Sequence, residues 1–545
     1  MSRHVVIIGG GPAGTAAAQS ALRHGATVTL VDSNEALGGQ YNRRIPDAFG
    51  VRRPLSIGHG YAEAARRARL LIEHPRCEYL PLASVYQIER HLDGGCPTVR
   101  LLIGIEGDQR THRVVRGDAL VLATGAYDRV CPFPGWDLPG VYTAGAAQTL
   151  AKTQRVLIGR SVLLSGTGPF LLPVAQSLVE GGAHVQAVLE ANPGRRILRH
   201  WASRPWELRH SAGKAAELIE YVACGVRHRI PLRMGRAVVA VAGDGRVEQA
   251  TIARLDENWT PIPGSESTVS ADAVAVSHGF TPQHELAVAA GTRLTAHGFV
   301  HVDHAQQTTA ENVWAAGEIT GIGGAQVAAI EGAVAGVAAA GADPAADRAL
   351  RARHRTAEQF VARLAAAHPI RPGVLGWSRP ETVLCRCEGT TRDDLTTAWA
   401  RAAGDSYRPA KLATRAGLGP CQGRMCATNI EALRIGVSAD SHPVQDAPPA
   451  ACQEGAPGAR NPRSPMTTAP PRATSPMPPD LAAATPACQE GARGSRNPQS
   501  PMTTAPPRAT SPMPSGLAAA TPAWRPLAAP IRLRELADLD HEGQS

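Results

Sequence analysis

The stretch that decides the fold lies at the start of the chain, in residues 4–40, "HVVIIGGGPAGTAAAQSALRHGATVTLVDSNEALGGQ". Its apolar run to Ile8 predicts a buried strand, and the glycines that follow predict a tight turn. The alanine-rich sequence to His24 predicts a helix, and "ATVTLVD" predicts a second strand that ends at Asp32. This strand–turn–helix–strand order, with both strands apolar, predicts an α/β fold.

The glycine turn has the spacing of a dinucleotide-binding loop, Gly9-x-Gly11-x-x-Gly14. Gly9 permits the turn, Gly11 lets the backbone approach a pyrophosphate, and Gly14 lets the helix pack closely on the strand. Asp32 stands where a carboxylate accepts ribose hydroxyls and repels a 2′-phosphate. An ordinary glycine turn is the alternative, but strand, glycines, helix and acid all fall in register. We call this segment the first nucleotide site and predict that its binding residues are Gly9, Gly11, Pro12, Ala13, Gly14, Asp32, Gly39 and Gln40.

Two later segments suggest which dinucleotide binds there. Residues 118–129, "DALVLATGAYDR", form an apolar strand that ends in Ala-Thr-Gly, and residues 308–336 contain a strand, a Gly-Glu pair and a long helix. They resemble the ATG and GD motifs of the glutathione-reductase-like flavoproteins, which have two Rossmann-like dinucleotide-binding domains. The resemblance implies FAD, with Glu318 in place of the usual Asp at the ribityl chain and the positive helix end toward the flavin. The cofactor-binding residues that it implies are Thr124, Gly125, Gly317, Glu318, Gln326 and Val327.

The same plan recurs in residues 161–191, "SVLLSGTGPFLLPVAQSLVEGGAHVQAVLEA", which we call the second nucleotide site. Gly166 and Gly168 match the first two glycines, and Glu190 ends the second strand as an acid does in NAD sites. The third glycine position is Leu171, which is expected to widen the helix–strand spacing or to shift the helix. Superfamily relatives usually bind NAD(P)H here. NAD(P), another adenine nucleotide and no cofactor at all remain open at this site.

Four cysteines near residue 400 follow a ligand-like spacing. Cys385 and Cys387 form C-x-C, Cys421 and Cys426 form C-x4-C, and residues 388–420 lie between the two pairs; we call these residues the four-cysteine cluster. A helix capped by Thr390 or Thr391 is predicted between the pairs, and another after Cys426. Four thiolates suit zinc or a [2Fe–2S] cluster, and C-x-C is tight for two ligands of one tetrahedral zinc. A [2Fe–2S] cluster is therefore favoured over zinc and over disulfides.

Composition narrows the class of protein. The chain has 545 residues, 43% of them hydrophobic and 19% charged, which is typical of a globular protein of two or three domains. Its net charge of +9 is not concentrated in a basic run with interleaved aromatics, so no nucleic-acid partner is expected. No secretory signal is expected, because the residues before the first strand lack a charged region, an apolar stretch of signal length and a small-residue cleavage site. The longest apolar stretch, 324–342, contains Glu331 and predicts a buried helix rather than an integral membrane segment.

Four further cysteines are scattered through the first half of the chain: Cys77, Cys96, Cys131 and Cys224. None has a partner at the CxxC or CxxxxC spacing found beside the flavin in disulfide reductases, so dithiol chemistry is not expected. They are predicted to be reduced buried thiols, which indicates a cytoplasmic location.

In combination, these motifs resemble one family. "CRCEGTT" and "KLATRAGLGPCQGRMC" are similar to the bacterioferritin-associated-ferredoxin-like [2Fe–2S] domain. Together with "GGQYNRR", "PFPGWDLPGVYTAGAAQTL" and "GFTPQHEL", they resemble the FAD subunit of heteromeric amine dehydrogenases. That family includes the A subunit of opine oxidase, the B subunit of hydrogen cyanide synthase and the alpha subunit of hydroxyproline or proline dehydrogenases. The resemblance covers about residues 1–440.

The resemblance implies how the work is divided. In the family, the amine is oxidised on a separate, amino-acid-oxidase-like FAD subunit, and the alpha subunit passes electrons onward, often with a small ferredoxin-like subunit. No catalytic base is therefore assigned on this chain. The expected function is FAD- and [2Fe–2S]-dependent electron transfer within an amine or imino-acid dehydrogenase. The alternatives are a stand-alone NAD(P)H-dependent reductase of a ferredoxin-like acceptor and a scaffold with structural zinc.

From about residue 440 the composition becomes rich in Pro, Ala, Ser and Thr. Residues 451–486 recur at 487–522 with 31 of 36 positions identical, and so many prolines predict a disordered linker. The expected domains are a first FAD-binding part (1–150), a second nucleotide-binding domain (151–280), a second FAD-binding part (281–345), a small helical [2Fe–2S] domain (346–440), the disordered repeat (441–522) and a docking segment (523–545).

Overall fold

The computed structural model describes residues 2–46, 49–50, 60–91, 94–105, 109–203, 212–402 and 407–440. The predicted disordered repeat at 441–522 and the predicted docking segment at 523–545 lie outside these residues.

Strands and helices are mixed as far as the helix that ends at Ala339, and helices dominate thereafter. The strands are β1 (His4–Ile8), β2 (Thr27–Val31), β3 (Cys77–Leu80), β4 (Ala83–Glu89), β5 (Thr98–Ile103), β6 (Thr111–Val115), β7 (Ala119–Leu122), β8 (Ala126–Asp128), β9 (Val141–Thr143), β10 (Ser161–Thr167), β11 (His184–Glu190), β12 (Leu232–Met234), β13 (Arg236–Ala242), β14 (Gln249–Arg254), β15 (Ser267–Ser270), β16 (Ala273–His278), β17 (Phe280–Pro282), β18 (Val313–Ala315), β19 (Val383–Cys385) and β20 (Thr390–Thr391). The helices are α1 (Pro12–Arg23), α2 (Tyr61–Ile72), α3 (Ala144–Lys152), α4 (Leu171–Glu180), α5 (Gly194–Ala202), α6 (Ala212–Arg227), α7 (Glu285–Ala289), α8 (Gly324–Ala339), α9 (Arg348–Ala367), α10 (Arg392–Arg401), α11 (Tyr407–Thr414) and α12 (Ala427–Asp440).

The first sheet is parallel and has the strand order β18-β7-β1-β2-β3. Its central strand β1 is buried from Val5 to Ile8, as expected for an apolar strand that is covered on both faces. The edge strand β18 comes from a much later segment of the chain than β7, yet it pairs with β7 directly. The chain therefore leaves this sheet and returns to it.

The second sheet is also parallel, with the order β12-β11-β10-β16-β9. Strand β9 pairs with β16 in this sheet, although it precedes the division that the sequence places at residue 150. The predicted α/β fold with two Rossmann-like sheets is confirmed.

Each of the two parallel sheets is accompanied by a three-stranded antiparallel sheet. The three-stranded sheet β4-β5-β6 lies between β3 and β7 along the chain, and β13-β14-β15 lies between β12 and β16. A two-stranded antiparallel pair, β8 with β17, joins the point where the chain leaves the first sheet to the point where it comes back. In this connector Tyr127 pairs with Thr281, which brings the ends of β7 and β16 together.

Helix α8 lies close against α1 because the contact surfaces are made of Ala and Gly. A Cβ added to Gly336 would overlap the carbonyl oxygen of Ala17, and one added to Gly332 would overlap that of Ala13. The helix was expected to be buried, and Val334, Ala335 and Ala339 are buried in it. Among the helices of the described residues, none combines the length and the apolar character needed to cross a bilayer.

The segment after β19 is a small helical unit. Strand β19 pairs with β20, and Thr391 then caps α10: its hydroxyl accepts from the Asp394 N–H, while the Asp394 carboxylate accepts from the Thr391 N–H at 2.9 Å. This capping box confirms the helix start expected at Thr390 or Thr391. The unit is fastened to the connector region by the Asn429 side-chain amide, which donates to the Val130 carbonyl at 2.6 Å.

The close contact of α8 with α1 predicts a stability effect. Gly336→Ala places a methyl group on the Ala17 carbonyl, so we expect the free energy of unfolding to fall by roughly 1–3 kcal/mol in urea denaturation. Gly225→Ala on α6 is the matched control, because no atom lies within 4 Å of its added Cβ. It should leave stability unchanged or raise it by up to about 1 kcal/mol. Equal effects of the two substitutions would contradict the packing argument.

Candidate functional site

One cleft of about 3410 Å³ runs between the two sheets and reaches the four-cysteine cluster. Most of the predicted binding residues line it: Gly9, Gly11, Pro12, Ala13, Asp32, Gly39, Gln40, Thr124, Gly125, Gly168, Glu190, Glu318, Cys385, Cys387, Cys421 and Cys426. The structure therefore brings together residues from five distant segments of the chain. The predicted residues that do not line the cleft are Gly14, Gly166, Gly317, Gln326 and Val327.

The first glycine loop has the shape that its spacing predicts. Gly9 has a φ of +109°, and a Cβ on Gly14 would overlap the Gly9 carbonyl oxygen, so only glycine allows α1 to begin this close to β1. Gly11 is the N-cap of α1 and faces the cleft, with Pro12 at the first helical position. The free N–H groups of this helix end point at the place where an anionic pyrophosphate would bind.

Asp32 ends β2 and is 5% exposed. One carboxylate oxygen accepts from the Gly10 N–H at 2.7 Å, and the other accepts from the Asn34 N–H and side-chain amide, each at 2.8 Å. Burial raises the pKa of Asp32, whereas these hydrogen bonds and the nearby Arg43 lower it. The carboxylate is thus held in place beside the glycine loop, where it can also accept a hydroxyl.

Arg43 is a feature of this site that the sequence motifs did not identify. Its side chain lines the cleft near Asp32, and one terminal nitrogen, Nη2, is buried without a hydrogen-bond partner among the described residues. Burial lowers the pKa of this guanidinium. A buried cation with an unused donor beside a helix N-terminus suits a phosphate group. In the sequence, only the position of Arg43 shortly after Gly39 and Gln40 indicates that it belongs to this site.

The loop with the Ala-Thr-Gly turn and the loop with the Gly317-Glu318 pair also contribute to the wall of the cleft. The Thr124 hydroxyl donates to the Gln283 carbonyl at 2.6 Å, which ties the Ala-Thr-Gly turn to the strand returning from the second sheet. The loop that carries Glu318 is held by Glu331 of α8, whose carboxylate accepts from the Gly317 N–H at 2.8 Å and the Thr320 hydroxyl at 3.0 Å. Glu318 itself lines the cleft.

Gln326 and Val327 are not among the residues that line the cleft. Both were predicted to bind the cofactor, but the Gln326 amide contacts Glu217 at 3.5 Å, and Val327 is buried. The first turns of α8 face the cleft through Gly324, Ala325 and Ala328 instead. Because successive helical residues are rotated by about 100°, positions 326 and 327 lie on the other side of the helix.

The second nucleotide site differs from the first at its helix start. Helix α1 begins directly after Gly11, whereas α4 begins at Leu171, three residues after Gly168. Leu171 is 1% exposed and packs in the core of the second domain, where the first site has glycine. A tighter turn follows Gly168 directly, with the Leu171 N–H bonded to the Gly168 carbonyl and the Leu172 N–H to the Pro169 carbonyl, so the regular helix begins later than in the first site.

The acid of the second nucleotide site is fully engaged by protein groups. Glu190 accepts from the Thr167 hydroxyl at 2.9 Å, the Gly168 N–H at 2.7 Å and the backbone N–H of Asn192 at 2.8 Å. His368, the residue that ends α9, also lies 3.2 Å from it, between Nδ1 and Oε2. A segment from beyond the two sheets thus contacts the carboxylate that would bind a ribose.

The four cysteines meet at the end of the cleft. Cys385 ends β19, and Cys421 and Cys426 lie in the turns before α12; these three are buried, while Cys387 is exposed. The Cys426 thiol is hydrogen-bonded to Cys385 and Cys421, and Cys387 to Cys421. The Gly417 N–H also donates to the Cys385 sulfur at 3.4 Å. Only the second pair lies in a loop that enters a helix directly, because Cys385 belongs to a strand.

The contacts among the four cysteines shift the pKa values of their thiols in opposite directions. Hydrogen bonds from Cys426 lower the pKa of Cys385 to about 6 and that of Cys421 to about 5. Burial raises the pKa of Cys387 to about 11, and donation to its two neighbours raises that of Cys426. In the described part of the chain, no group of three or more His, Cys, Asp or Glu side chains has an arrangement that would hold a metal ion. The four thiols are linked in the order Cys385, Cys426, Cys421, Cys387.

Comparison with known proteins identifies the family. Residues 3–333 match the family model described as "Pyridine nucleotide-disulphide oxidoreductase". The chain belongs to this family. The match includes both glycine loops and the Gly317-Glu318 pair, and it ends within α8.

Two relatives match beyond this region. The HcnB subunit of hydrogen cyanide synthase from Pseudomonas aeruginosa is 32% identical over 446 residues, which cover 78% of this chain and 91% of that protein. The A subunit of opine oxidase from Agrobacterium tumefaciens is 32% identical over 450 residues, or 79% of this chain and 85% of that protein. The resemblance found in the sequence is confirmed, and the chain is a member of the group that these proteins represent.

A solved structure is also similar to this chain in its fold. The crystal structure of L-proline dehydrogenase from P. horikoshii matches with a TM-score of 0.53 over 82% of this chain and 76% of that chain. Its sequence identity is 19%, so this likeness concerns the fold alone. Within the family the chain is an FAD-dependent oxidoreductase. The helix N-terminus at Gly11, the anchored Asp32 and the unused Arg43 donor fit a dinucleotide with a pyrophosphate.

The buried Glu331 predicts a dependence of stability on pH. Burial raises its pKa to about 7 from 4.5, so between these values the folded protein keeps a proton that the unfolded chain has released. The free energy of unfolding of the apoprotein should therefore fall as the pH rises through this window, by on the order of 3 kcal/mol. Glu331→Gln carries no charge and should make the fall smaller by the contribution of Glu331, as measured by urea denaturation at about pH 5 and about pH 8.

Glu63→Gln is the control for this measurement. Hydrogen bonds from Arg66 and Arg67 lower the pKa of Glu63 to about 2, below the window. The control should keep the wild-type fall in stability. If Glu331→Gln keeps it as well, Glu331 is not the group responsible.

The unused donor of Arg43 predicts a loss of FAD affinity. Arg43→Met keeps most of the length of the side chain but removes a charge-assisted hydrogen bond to phosphate, worth about 1.5–3 kcal/mol. We expect the Kd of the apoprotein for FAD to rise roughly 10- to 100-fold in a fluorescence titration. Arg44→Met, at the exposed neighbouring position, should change the Kd little. Equal losses from both substitutions would argue against a specific contact of Arg43.

Proposed function

We propose that this chain is the electron-transfer subunit of a heteromeric amine or imino-acid dehydrogenase of the opine, hydroxyproline/proline or glycine class. FAD binds at the first nucleotide site, and a [2Fe–2S] cluster binds to the four-cysteine cluster. An amino-acid-oxidase-like FAD subunit oxidises the amine and supplies the electrons, and a small ferredoxin-like subunit is a further partner. The proposal includes a cytoplasmic location and a cluster domain formed by residues 346–440.

The observation that carries the proposal is the shared cleft. Its walls include the first glycine loop, the Ala-Thr-Gly turn and all four cysteines. FAD, when bound, exchanges one or two electrons, and a [2Fe–2S] cluster exchanges one. Two redox centres in one cleft support stepwise electron transfer between them. Thr124, Gly125 and Cys421 all line this cleft, which supports a route between them.

The four cysteine thiols favour an iron–sulfur cluster over zinc and over disulfides. Cys385 and Cys421 have lowered pKa values, and backbone N–H groups of Gly417 and Gly423 donate to their sulfurs, which stabilises thiolates. The C-x-C spacing of Cys385 and Cys387 is tight for two ligands of one tetrahedral zinc and therefore favours two bridged irons. All eight cysteines of the described residues are free, so disulfides are the weakest alternative.

The partner is inferred from the relatives. HcnB and its opine oxidase counterpart are both named as subunits, of hydrogen cyanide synthase and of opine oxidase. This chain covers 91% and 85% of their lengths, so it corresponds to almost the whole of each relative. A chain of this kind is therefore expected to work with a second polypeptide that binds the amine.

A stand-alone NAD(P)H-dependent reductase is the second candidate. The parallel second sheet, the open turn at Gly168 and the acid Glu190 favour it. Two features weigh against it: the helix start is shifted by Leu171, and His368 contacts the carboxylate that would bind a ribose. A bound adenine nucleotide of another kind is compatible with the same geometry.

Metal analysis of the purified chain tests the proposal. We expect one FAD and about two irons with acid-labile sulfide per chain. Cys421→Ser should lose the iron and the cluster absorbance while FAD remains bound. Cys131→Ser is the matched control, because Cys131 is equally buried but lies in the core between the second sheet and β13-β14-β15, outside the four-cysteine cluster. Zinc in place of iron would overturn the electron-transfer assignment.

Stopped-flow reduction separates the two candidate functions. Bleaching of the flavin by NADH or NADPH in the isolated chain should be slow compared with turnover of the whole enzyme. Rapid bleaching, with Glu190→Ala abolishing it, would favour the stand-alone reductase. Failure to recover an oxidase-like flavoprotein with the full chain from its native source would independently weaken the proposed role in a heteromeric enzyme.

A further inference from the structure

A buried arginine lies within the second cysteine pair. Arg424 stands between Cys421 and Cys426, and its side chain is 4% exposed. Its Nη1 donates to the Cys421 carbonyl at 3.3 Å, so the guanidinium is held against the turn that carries this cysteine. A charge at this depth is costly unless it is paired, because the surrounding protein solvates it poorly.

Its counter-charge comes from the connector between the sheets. Glu285, the first residue of α7, lies 3.1 Å from Arg424, between Oε1 and Nε. The same oxygen of Glu285 accepts from the Tyr127 hydroxyl at 3.2 Å. Tyr127 belongs to β8, which begins one residue after the Thr124-Gly125 turn of the first nucleotide site. The ion pair therefore links the turn predicted to face the flavin with the turn that carries Cys421.

The ion pair of Arg424 and Glu285 leaves one polar atom of each side chain without a hydrogen bond. Arg424 Nε and Glu285 Oε2 are both buried, and neither has a hydrogen-bond partner among the described residues. The contact between them is an ion pair by distance that lacks hydrogen-bond alignment. Two charges held in this way act mainly through their electric fields, which reach further in a buried environment than in water.

A second ion pair at the cysteines provides a comparison. Arg415 lies 2.8 Å from Glu388, which follows Cys387 in the sequence, but the Arg415 side chain is 68% exposed. Water and salt screen charges at such a position, so Arg415 should influence the cysteines weakly. The two pairs thus differ at the cation: Arg424 is buried and its partner Glu285 is 34% exposed, whereas Arg415 is exposed and its partner Glu388 is 16% exposed.

We infer that the Arg424–Glu285 pair sets the reduction potential of the cluster bound by the four cysteines. This inference rests on the proposed function. One electron from the reduced flavin adds one negative charge to the cluster, and no bond to a side chain forms or breaks. Arg424 stabilises the added charge, whereas Glu285 opposes it. Arg424 is a positioning residue of the electron path and touches no substrate.

Opposite shifts are expected from the two partners. Arg424→Gln removes the cation and leaves the anion of Glu285 beside the cluster, so the midpoint potential should become more negative. Glu285→Gln is nearly isosteric and leaves Arg424 unpaired, so the potential should become more positive. Arg424→Lys keeps the charge and should retain a potential close to that of the wild type. The double substitution should return the potential toward the wild-type value.

Redox titration of the holoprotein, followed by visible and electron paramagnetic resonance spectra, measures these potentials. Arg415→Gln is the matched control and should shift the potential less than Arg424→Gln does. Shifts of the same sign from Arg424→Gln and Glu285→Gln, or an equal shift from Arg415→Gln, would overturn the inference. If Arg424→Gln fails to retain the cluster, the sign of the Glu285→Gln shift decides. A wild-type chain without iron would refute the proposed function itself, and with it the inference.

Discussion

The contact on which most of the structure depends is the close approach of α8 to α1. Gly332 and Gly336 allow the two helices to meet backbone to backbone, at Ala13 and Ala17. This contact fixes the C-terminal part of the first sheet against its beginning, although the whole second sheet lies between them along the chain. Glu318, which precedes α8, is thereby brought to the glycine loop before α1. The first nucleotide site is therefore assembled by tertiary contacts, although each of its sequence motifs is local.

A second constraint is the connector formed by β8 and β17. It holds the ends of β7 and β16 together, and the cysteine segment is fastened to the same region by Asn429 and Arg424. Three segments that could each fold around their own core therefore share one polar junction. Such a junction explains why the cleft is continuous from the glycine loop to the cysteines. It also means that a charge placed there affects both ends of the cleft.

The sequence predicted those parts of the site in which a residue type is required by backbone geometry or ligand chemistry. The glycines at 9 and 11, the acid at 32 and the four cysteines fall in this class, and the structure brings them to one cleft. Arg43, His368 and the Arg424–Glu285 pair could not be predicted, because their partners lie in segments that only the fold brings near. Gln326 and Val327 do not line the cleft, because the motif predicts the helix but not its rotation.

The two nucleotide sites show how one topology can diverge in chemistry. Both have a parallel sheet, a glycine turn and an acid that accepts from the turn: Gly10 to Asp32 in the first, Gly168 to Glu190 in the second. In the first, α1 begins at the turn, so its N–H groups are available to a pyrophosphate. In the second, α4 begins later and His368 contacts the acid. Any nucleotide there must displace or share the His368 contact. The later start of one helix and one contact from α9 are therefore the features that distinguish the second site from the first.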